Sequence, residues 1–303
     1  MHKLIENQVR ISVRNLVEFI LRSGDIDNRH STKAQYDAMQ IGSRLHRKIQ
    51  GSMPGTYKAE VSLKHTAHYR DVEILLEGRA DGIITPDEKS VREEQANLLY
   101  QAKIDENVSA EISFIIDEIK VIRQDMEKLD SAAQVHIAQA LCYAYMYARA
   151  LNTKAAGVTE ENTRLCIGIQ ITYCHPETEE IKRFLKVYTF EEIKEDFDHY
   201  ISEYGKWAQF LYEHRLERNA SVQKLSFPYP YRAGQKRLVA AAYRTMINGE
   251  QLFIQAPTGI GKTLSTVFPA VWAVGEEYAD KIFYLTAKTI TRTAAVSAFD
   301  ILR

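Results

Sequence analysis

The sequence predicts an α/β protein with two domains, on three observations. The chain has 303 residues, which is enough for two domains. Over the first two thirds, segments with the alternating pattern of strands are interspersed with segments whose apolar residues recur at helical spacing. Near the end, a short apolar segment at residues 251–255, which predicts a strand, is followed by a glycine-bearing turn and a helix. We expect a first domain over residues 1–190, a helical connector over 191–225 and a second domain over 226–303.

Bulk composition is that of an ordinary globular protein, with 45% hydrophobic and 26% charged residues. We expect no membrane span, because no run of 18 apolar residues occurs. The start of the chain lacks the layout of a signal peptide. Cys142, Cys166 and Cys174 form no C-x-x-C pair, which favours a reduced, cytoplasmic setting. The net charge of −1 means that any DNA-binding surface must be a local patch.

Two helices are predicted at the start of the chain. Apolar residues recur at helical spacing from Val9 to Leu21, and Ser12 is a candidate cap within this segment. A second helix is predicted from Thr32 to Gln50, and it carries His46. A lone helical histidine is usually an ordinary surface or core residue. A functional role for His46 therefore depends on the strands that come next in the chain.

Three predicted strands follow these helices in the sequence. They are predicted at Tyr57–Lys64, Val72–Ile84 and Phe114–Ile122. The second strand contains Asp81, and an aspartate inside a strand is unfavourable unless it has a functional role or lies at a turn. The polar segment Asp87–Ser113 separates the second strand from the third, and we interpret it as an insertion.

The third strand carries an acid and a lysine on one face. Alternate side chains of a strand share a face, so Glu118 and Lys120 point the same way and Asp117 points the other way. We therefore expect Glu118 to be the partner of Lys120. A solvated charge pair with no catalytic role is the alternative.

A strongly apolar helix comes after the third strand, predicted from Asp130 to Leu151, with Gln139 and Tyr143 four residues apart on one face. Core packing is the alternative for these two residues.

The first part of the chain resembles the PD-(D/E)XK nuclease fold, specifically its RecB-type group. The resemblance is carried by an acid, then by acid-x-Lys on a strand, and then by a helix with Q-x-x-x-Y. The resemblance covers about residues 1–190 and implies a mixed sheet flanked by helices. It also implies that Gln139 and Tyr143 support the active site or the DNA.

The resemblance implies a phosphodiesterase site. Asp81 and Glu118 would supply carboxylate ligands for Mg²⁺ or Mn²⁺. His46 would be a further ligand and would favour Mn²⁺. Lys120 would hold the attacking water and offset developing charge. One departure is the 36 residues between Asp81 and Glu118, because these two strands usually form a short hairpin in this fold.

Two further strands and a long helix complete the first part of the chain. The strands are predicted at Leu165–Tyr173 and Phe184–Val187, joined by the turn-rich segment that begins at Cys174. Glu191–Arg218 has few helix-breaking residues, and we interpret it as a helical connector.

The segment from Gln251 to Thr263 predicts a phosphate-binding loop. It matches G-x-x-x-x-G-K-[ST] except for Ala256 in place of the first glycine, and a helix is predicted from Leu264 to Val274. Backbone amides of such a turn and the helix N-terminus bind anions. Lys262 would reach the β- and γ-phosphates, and the Thr263 hydroxyl would bind Mg²⁺.

The order Tyr-Arg-x-Gly-Gln, helix, strand and Ala-Pro-Thr-Gly-x-Gly-Lys-Thr is similar to superfamily 2 helicases, in particular the DinG/Rad3/XPD branch. The similarity implies a P-loop, RecA-like ATP-binding domain with ATP and Mg²⁺ as cofactors, in which Gln235 reads adenine. The implied nucleotide-binding residues are Gln235, Ala256, Pro257, Thr258, Gly259, Ile260, Gly261, Lys262 and Thr263. Residues 281–289 fit the next strand, at 281–285, and its DNA-contacting loop. In this loop Thr286, Lys288 and Thr289 would contact phosphates of DNA that is single-stranded or contains a junction, with an ordinary strand and loop as the alternative.

These patterns together predict an ATP-dependent DNA helicase with an N-terminal metal-dependent nuclease domain, acting in DNA processing or repair. Only 40 residues follow Thr263, so we expect the ATP-binding domain to be incomplete here and not to hydrolyse ATP by itself. Two alternatives stay open. One is a degenerate nuclease fold that only binds DNA for the helicase. The other is a P-loop kinase or transferase with an unrelated N-terminal domain.

Overall fold

The computed structural model describes residues 7–22, 32–53, 56–85, 112–154 and 165–303. The chain divides into two compact units, Met1–Gln209 and Phe210–Arg303. The first unit contains a six-stranded sheet with helices around it, which confirms the predicted α/β class. The predicted domain boundaries at residues 190 and 225 stay a prediction.

The sheet is mixed and is organised around β3. Its strands are β1 Gln8–Ser12, β2 Tyr57–Tyr69, β3 Val72–Ile84, β4 Ile112–Val121, β5 Cys166–Cys174 and β6 Ile181–Thr189. Their order is β1-β3-β4-β5-β6, with β2 also paired to β3. The β1–β3 and β4–β5 pairs are parallel, whereas β2–β3, β3–β4 and β5–β6 are antiparallel.

Strand β3 pairs with β1 and β4 at different heights, and this creates a fork in the sheet. Its first half pairs with β1 as far as Glu77, whereas its last residues, from Gly82 onward, pair with β4. Strand β2 pairs along nearly the whole length of β3. Asp81 therefore lies where β1 has ended and β4 begins.

Four of the described helices belong wholly or partly to the first unit. They are α1 Val13–Ile20, α2 Thr32–Gly51, α3 Gln134–Lys154 and α4 Phe190–Val222. Every residue of β5 is buried, as expected for an inner strand covered on both faces. None of the helices in the described ranges is both long and apolar enough to cross a membrane.

The first predicted helix was wrong in its opening residues. Residues 8–12 form β1, because the alternation of Val9 and Ile11 also suits a strand that pairs with β3. Ser12 does cap the helix that begins after it, since its hydroxyl accepts a hydrogen bond from the Asn15 amide at 3.1 Å. The second helix and the second strand lie where they were predicted. Most of the predicted insertion Asp87–Ser113 lies outside the described residues.

The second unit contains the end of α4 and three further helices. These are α5 Gln235–Asn248, α6 Lys262–Gly275 and α7 Thr289–Leu302. The strands predicted at residues 251–255 and 281–285 are wrong, since none of residues 210–303 belongs to a strand. Phe253 is 92% exposed and Leu285 is 89% exposed. A strand requires a hydrogen-bonded neighbour, and an apolar pattern alone does not supply one.

Candidate active site

The fork beside β3 brings Asp81 next to the strand that carries Glu118. Gly82 pairs with Asp117 across the antiparallel β3–β4 ladder, so Asp81 lies at the level of Glu118. The carboxylate of Asp81 accepts a hydrogen bond from the backbone amide of Ile119 at 2.8 Å. The predicted juxtaposition of Asp81 and Glu118 therefore occurs, despite the 36 residues between them.

Helix α2 places His46 against the same aspartate. The Nδ1 atom of His46 lies 3.6 Å from Oδ1 of Asp81. Burial lowers the pKa of His46, but the hydrogen bond and charge of Asp81 outweigh it and raise the pKa above its ordinary value. Gln50, one turn further along α2, donates to the backbone carbonyl of Asp81 at 3.0 Å. The helix is thus attached to β3 at the position of the aspartate.

Glu118 is almost completely buried, and only one of its two carboxylate oxygens has a hydrogen-bond partner among the described residues. Its side chain is 2% exposed, and Oε1 accepts a hydrogen bond from Lys120 Nζ at 2.6 Å. Its second oxygen, Oε2, is buried and has no partner among the described residues. Burial, followed by the negative charge of Asp81, raises the pKa of Glu118 to about 8. A buried carboxylate oxygen without a donor is costly, and a cation at this oxygen would offset the cost.

Lys120 is held between the sheet and helix α3. Besides Glu118, its ammonium donates to Oε1 of Gln139 at 3.3 Å. The amide nitrogen of Gln139 in turn donates to the hydroxyl of Tyr143 at 3.4 Å. The ring of Tyr143 lies over Gly78, where a Cβ atom would approach it to 2.6 Å. The structure therefore gathers Glu118, Lys120, Gln139 and Tyr143 into one connected chain of side chains.

Asp117 belongs to a separate network on the other face of β4, as the alternation predicted. It is fully buried and accepts hydrogen bonds from Thr172 at 2.5 Å, Gln170 at 2.9 Å and the Tyr57 hydroxyl at 3.2 Å. Tyr57 also contacts the backbone carbonyl of Asp81 at 3.4 Å. This network was not predictable from the sequence, because its members come from three different strands that are distant along the chain.

The fork carries donor atoms of the types that a divalent ion accepts, but they are not arranged as a metal site. Among the residues that the structure describes, no group of three or more His, Cys, Asp or Glu side chains is already arranged to hold an ion. Lys120 donates a hydrogen bond to one oxygen of Glu118, and the Ile119 amide donates one to an oxygen of Asp81. The unpartnered Oε2 of Glu118, with Asp81 and His46, still offers the oxygen and nitrogen donors that Mg²⁺ or Mn²⁺ accepts.

The predicted phosphate-binding loop lies in the second unit, and two of its glycines have a left-handed backbone conformation. Gly259 and Gly261 have φ values of 87° and 79°, which are unfavourable for residues with a Cβ atom. Gly261 directly precedes α6, whose first residues are Lys262 and Thr263. The Lys262 ammonium donates to the carbonyls of Ala256 at 2.8 Å and of Pro257 at 3.0 Å. The lysine therefore reaches back across the turn that would surround a phosphate.

Gln235 lies under this turn, at the start of α5. It is buried, and its side-chain oxygen accepts from the backbone amide of Arg232 at 3.0 Å. Its amide nitrogen would lie 2.7 Å from a Cβ atom at position 261. The Arg232 guanidinium donates to the carbonyl of Gly259. This contact of Arg232 with the loop was not predicted from the sequence, although the position of Arg232 three residues before Gln235 could have indicated it.

The residues predicted to contact DNA in the second unit lie at the start of α7. Thr286, Lys288 and Thr289 are exposed, and Lys288 precedes the helix in an extended conformation. Their contact with DNA stays a prediction.

Comparison with known proteins gives limited similarity. No protein-family model matches the chain. A stretch of 50 residues, 16% of this chain, is 44% identical to a probable ATP-dependent helicase of Methanocaldococcus jannaschii. The match spans only 8% of that helicase. The crystal structure of SSO0001 aligns with 66% of this chain and 77% of its own, at 16% identity and a TM-score of 0.36. A TM-score this low supports no argument about fold or function, so the similarity shown is a short one to a helicase.

Proposed function

We propose that the first unit is a divalent-metal-dependent DNA nuclease. We further propose that the chain is part of an ATP-dependent DNA helicase of the DinG/Rad3 type. One observation carries the nuclease proposal: the buried Glu118, with an unpartnered oxygen, lies beside Asp81 and is paired with Lys120. A buried, partly unsatisfied acid is rarely kept in a protein unless it has a function.

Each residue at the fork has a role in this proposal. Asp81, Glu118 and His46 would hold the ion, which when bound neutralises phosphate charge and lowers the pKa of a water molecule. The Lys120 ammonium has three N–H donors, and Glu118 and Gln139 accept two of them. The third can donate to the scissile phosphate or to the attacking water. Gln139 fixes the direction of this lysine and therefore positions it.

The helicase part of the proposal is supported by the second unit and by the short similarity. Gly259 and Gly261 let the backbone wrap around an anion, and Lys262 and Thr263 begin the helix behind them. Gln235 packs against the same turn, next to the expected position of the nucleotide. A nuclease joined to a helicase would meet newly separated strands at high effective concentration.

A second candidate function is DNA binding without cleavage. It is favoured by the Lys120–Glu118 pair at 2.6 Å and by the raised pKa of Glu118, because both disfavour a metal ligand at this position. Calorimetric titration with Mn²⁺ separates the two candidates. A nuclease should bind Mn²⁺ in a way that Asp81→Ala abolishes, whereas a binding module should bind none at the fork.

Cleavage of labelled DNA tests the nuclease directly. With Mn²⁺ or Mg²⁺ present, Asp81→Ala and Lys120→Ala should each reduce the cleavage rate by about 10²–10⁴-fold. Asp198→Ala and Lys194→Ala are matched controls, since these residues form an exposed pair on α4 and should leave the rate unchanged. Unaltered cleavage by both Asp81 and Lys120 variants would reject the proposed site.

A further inference from the structure

The first turn of α3 carries a histidine that the proposed nuclease site has not used. His136 precedes Gln139 by three residues, so both side chains lie on one face of α3. Gln139 contacts Lys120. His136 contacts Tyr173, which is the partner of Lys120 in the parallel β4–β5 ladder. Side chains paired in this way share a face of the sheet, so the imidazole lies beside Lys120.

The hydrogen bonds around Tyr173 favour one tautomer of His136. The tyrosine oxygen accepts from the Ala133 amide at 2.9 Å, and it lies 2.8 Å from Nδ1 of His136. Because the Ala133 amide already donates to this oxygen, the arrangement in which the tyrosine O–H donates to Nδ1 gives the hydroxyl proton an acceptor. The imidazole proton is then on Nε2. No residue in the described part of the chain accepts a hydrogen bond from Nε2.

The surroundings keep this imidazole neutral. Burial, followed by the charges of Lys120 and Arg14, lowers the pKa of His136 to about 4, and Glu18 opposes the shift only weakly. Glu18 is itself paired with Arg14, whose Nε donates to it at 2.7 Å. The result is a neutral N–H donor with two cationic side chains nearby. This combination suits an anionic oxygen from outside the protein.

We propose that Nε2–H of His136 binds a phosphate oxygen of the nucleic-acid strand next to the scissile phosphate, in a subsite that includes Lys120 and Arg14. The inference rests on the proposed function, because it assumes that the strand enters at Lys120. The chemical class of the ligand is a phosphodiester. The Arg14 side chain is 70% exposed and can contact the same backbone from α1.

Two substitutions at one position separate binding from structure. His136→Asn keeps an acceptor near Nδ1 for Tyr173 but has no donor at Nε2. His136→Gln has an amide N–H near the position of Nε2. We expect His136→Asn to weaken binding of a fluorescent single-stranded oligonucleotide by about tenfold to a hundredfold, because it loses a hydrogen bond to a charged group. His136→Gln should recover binding to within about threefold of wild type.

Salt dependence and metal binding provide readouts that a structural defect would not reproduce. Because His136 is neutral, His136→Asn should weaken binding without changing the slope of log affinity against log salt. Arg14→Ala should reduce that slope by about 0.7. Mn²⁺ affinity and kcat should be unchanged in His136→Asn, with the loss confined to KM. His199→Asn is the control, since His199 is exposed on α4.

The outcomes distinguish this inference from the proposed nuclease. If the wild-type chain binds DNA through His136 but never cleaves it, the subsite stands and the nuclease fails. If Asp81-dependent cleavage occurs and His136→Asn binds DNA like wild type, the subsite alone is overturned. Equal loss in His136→Asn and His136→Gln would also overturn it, because the histidine would then be structural. A wild-type chain that neither binds nor cleaves DNA would overturn both.

Discussion

Replacing Glu118 with glutamine should make the first unit more stable while abolishing cleavage. The substitution keeps the shape of the side chain, and its oxygen can still accept from Lys120 Nζ, now 2.6 Å from Glu118. It removes the ionisation that burial opposes. The protonated acid of the wild type has a buried O–H without a partner, and the amide of the variant has a buried N–H without a partner. These two costs are similar, so the difference in stability between the two proteins comes from ionisation of the acid.

The size of the effect is set by the two pKa values of Glu118. Its pKa is about 8 in the folded protein, against an ordinary value of 4.5. An acid whose pKa is raised by folding contributes its full stability below the ordinary value and loses it as the pH rises toward the raised value. At pH 7, about 2.5 pH units above the ordinary pKa, Glu118 is ionised in the unfolded chain. This ionisation lowers the free energy of unfolding of the wild type by about 3 kcal/mol. Glu118→Gln should regain this amount at pH 7 and gain almost nothing near pH 4.5.

Hydrogen exchange of the Ile119 amide provides the assay. This amide is bonded to Asp81 on the neighbouring strand, so its protection reports opening of the first unit. At pH 7, Glu118→Gln should slow the exchange of this amide by about 150-fold, after correction for its intrinsic exchange rate. The exposed Glu195→Gln on α4 should change stability by less than about 0.5 kcal/mol. A Glu118→Gln protein with no gain at pH 7, or with the same gain at pH 4.5, would show that the buried acid is not the cause.

Two further predictions concern glycine packing and the phosphate-binding loop. Gly82→Ala should destabilise the first unit by about 1–3 kcal/mol, because a Cβ atom there would lie 1.9 Å from the Tyr57 hydroxyl. Urea unfolding measures the lost stability. The double variant Gly82→Ala/Tyr57→Ala should lose less stability than the sum of the losses in the two single variants. Lys262→Ala should remove ATP binding in a calorimetric titration, with Lys236→Ala on α5 as the control. Undiminished ATP binding by Lys262→Ala would contradict the assigned role.

Some features of the site can be predicted from the sequence because they are local. The period of a strand puts Glu118 and Lys120 on one face and Asp117 on the other, whatever the rest of the chain does. The spacing of Gln139 and Tyr143 likewise puts them together on a helix. Ser12 is predictable as a cap because capping depends on only three or four neighbouring residues.

Other features depend on partners that are distant in the sequence. Residues 8–12 form a strand because they pair with β3 through backbone hydrogen bonds. Residues 251–255 form no strand, although their apolar pattern predicts a strand. The hydrogen-bond network of Asp117 joins three strands, and no spacing in the sequence indicates it. His136 is informative only because the fold places Tyr173 beside it.

The sequence alone determined which residue types are present, how they alternate along each element, and therefore which side chains share a face. Only the tertiary structure decided that β1 and β4 meet β3 at different heights, so that Asp81 and Glu118 face each other at a fork. Only the structure decided that Glu118 is buried with one oxygen that has no partner among the described residues. The physical reason is that periodicity is set by near neighbours, whereas burial and charge interactions depend on segments that fold together from far apart.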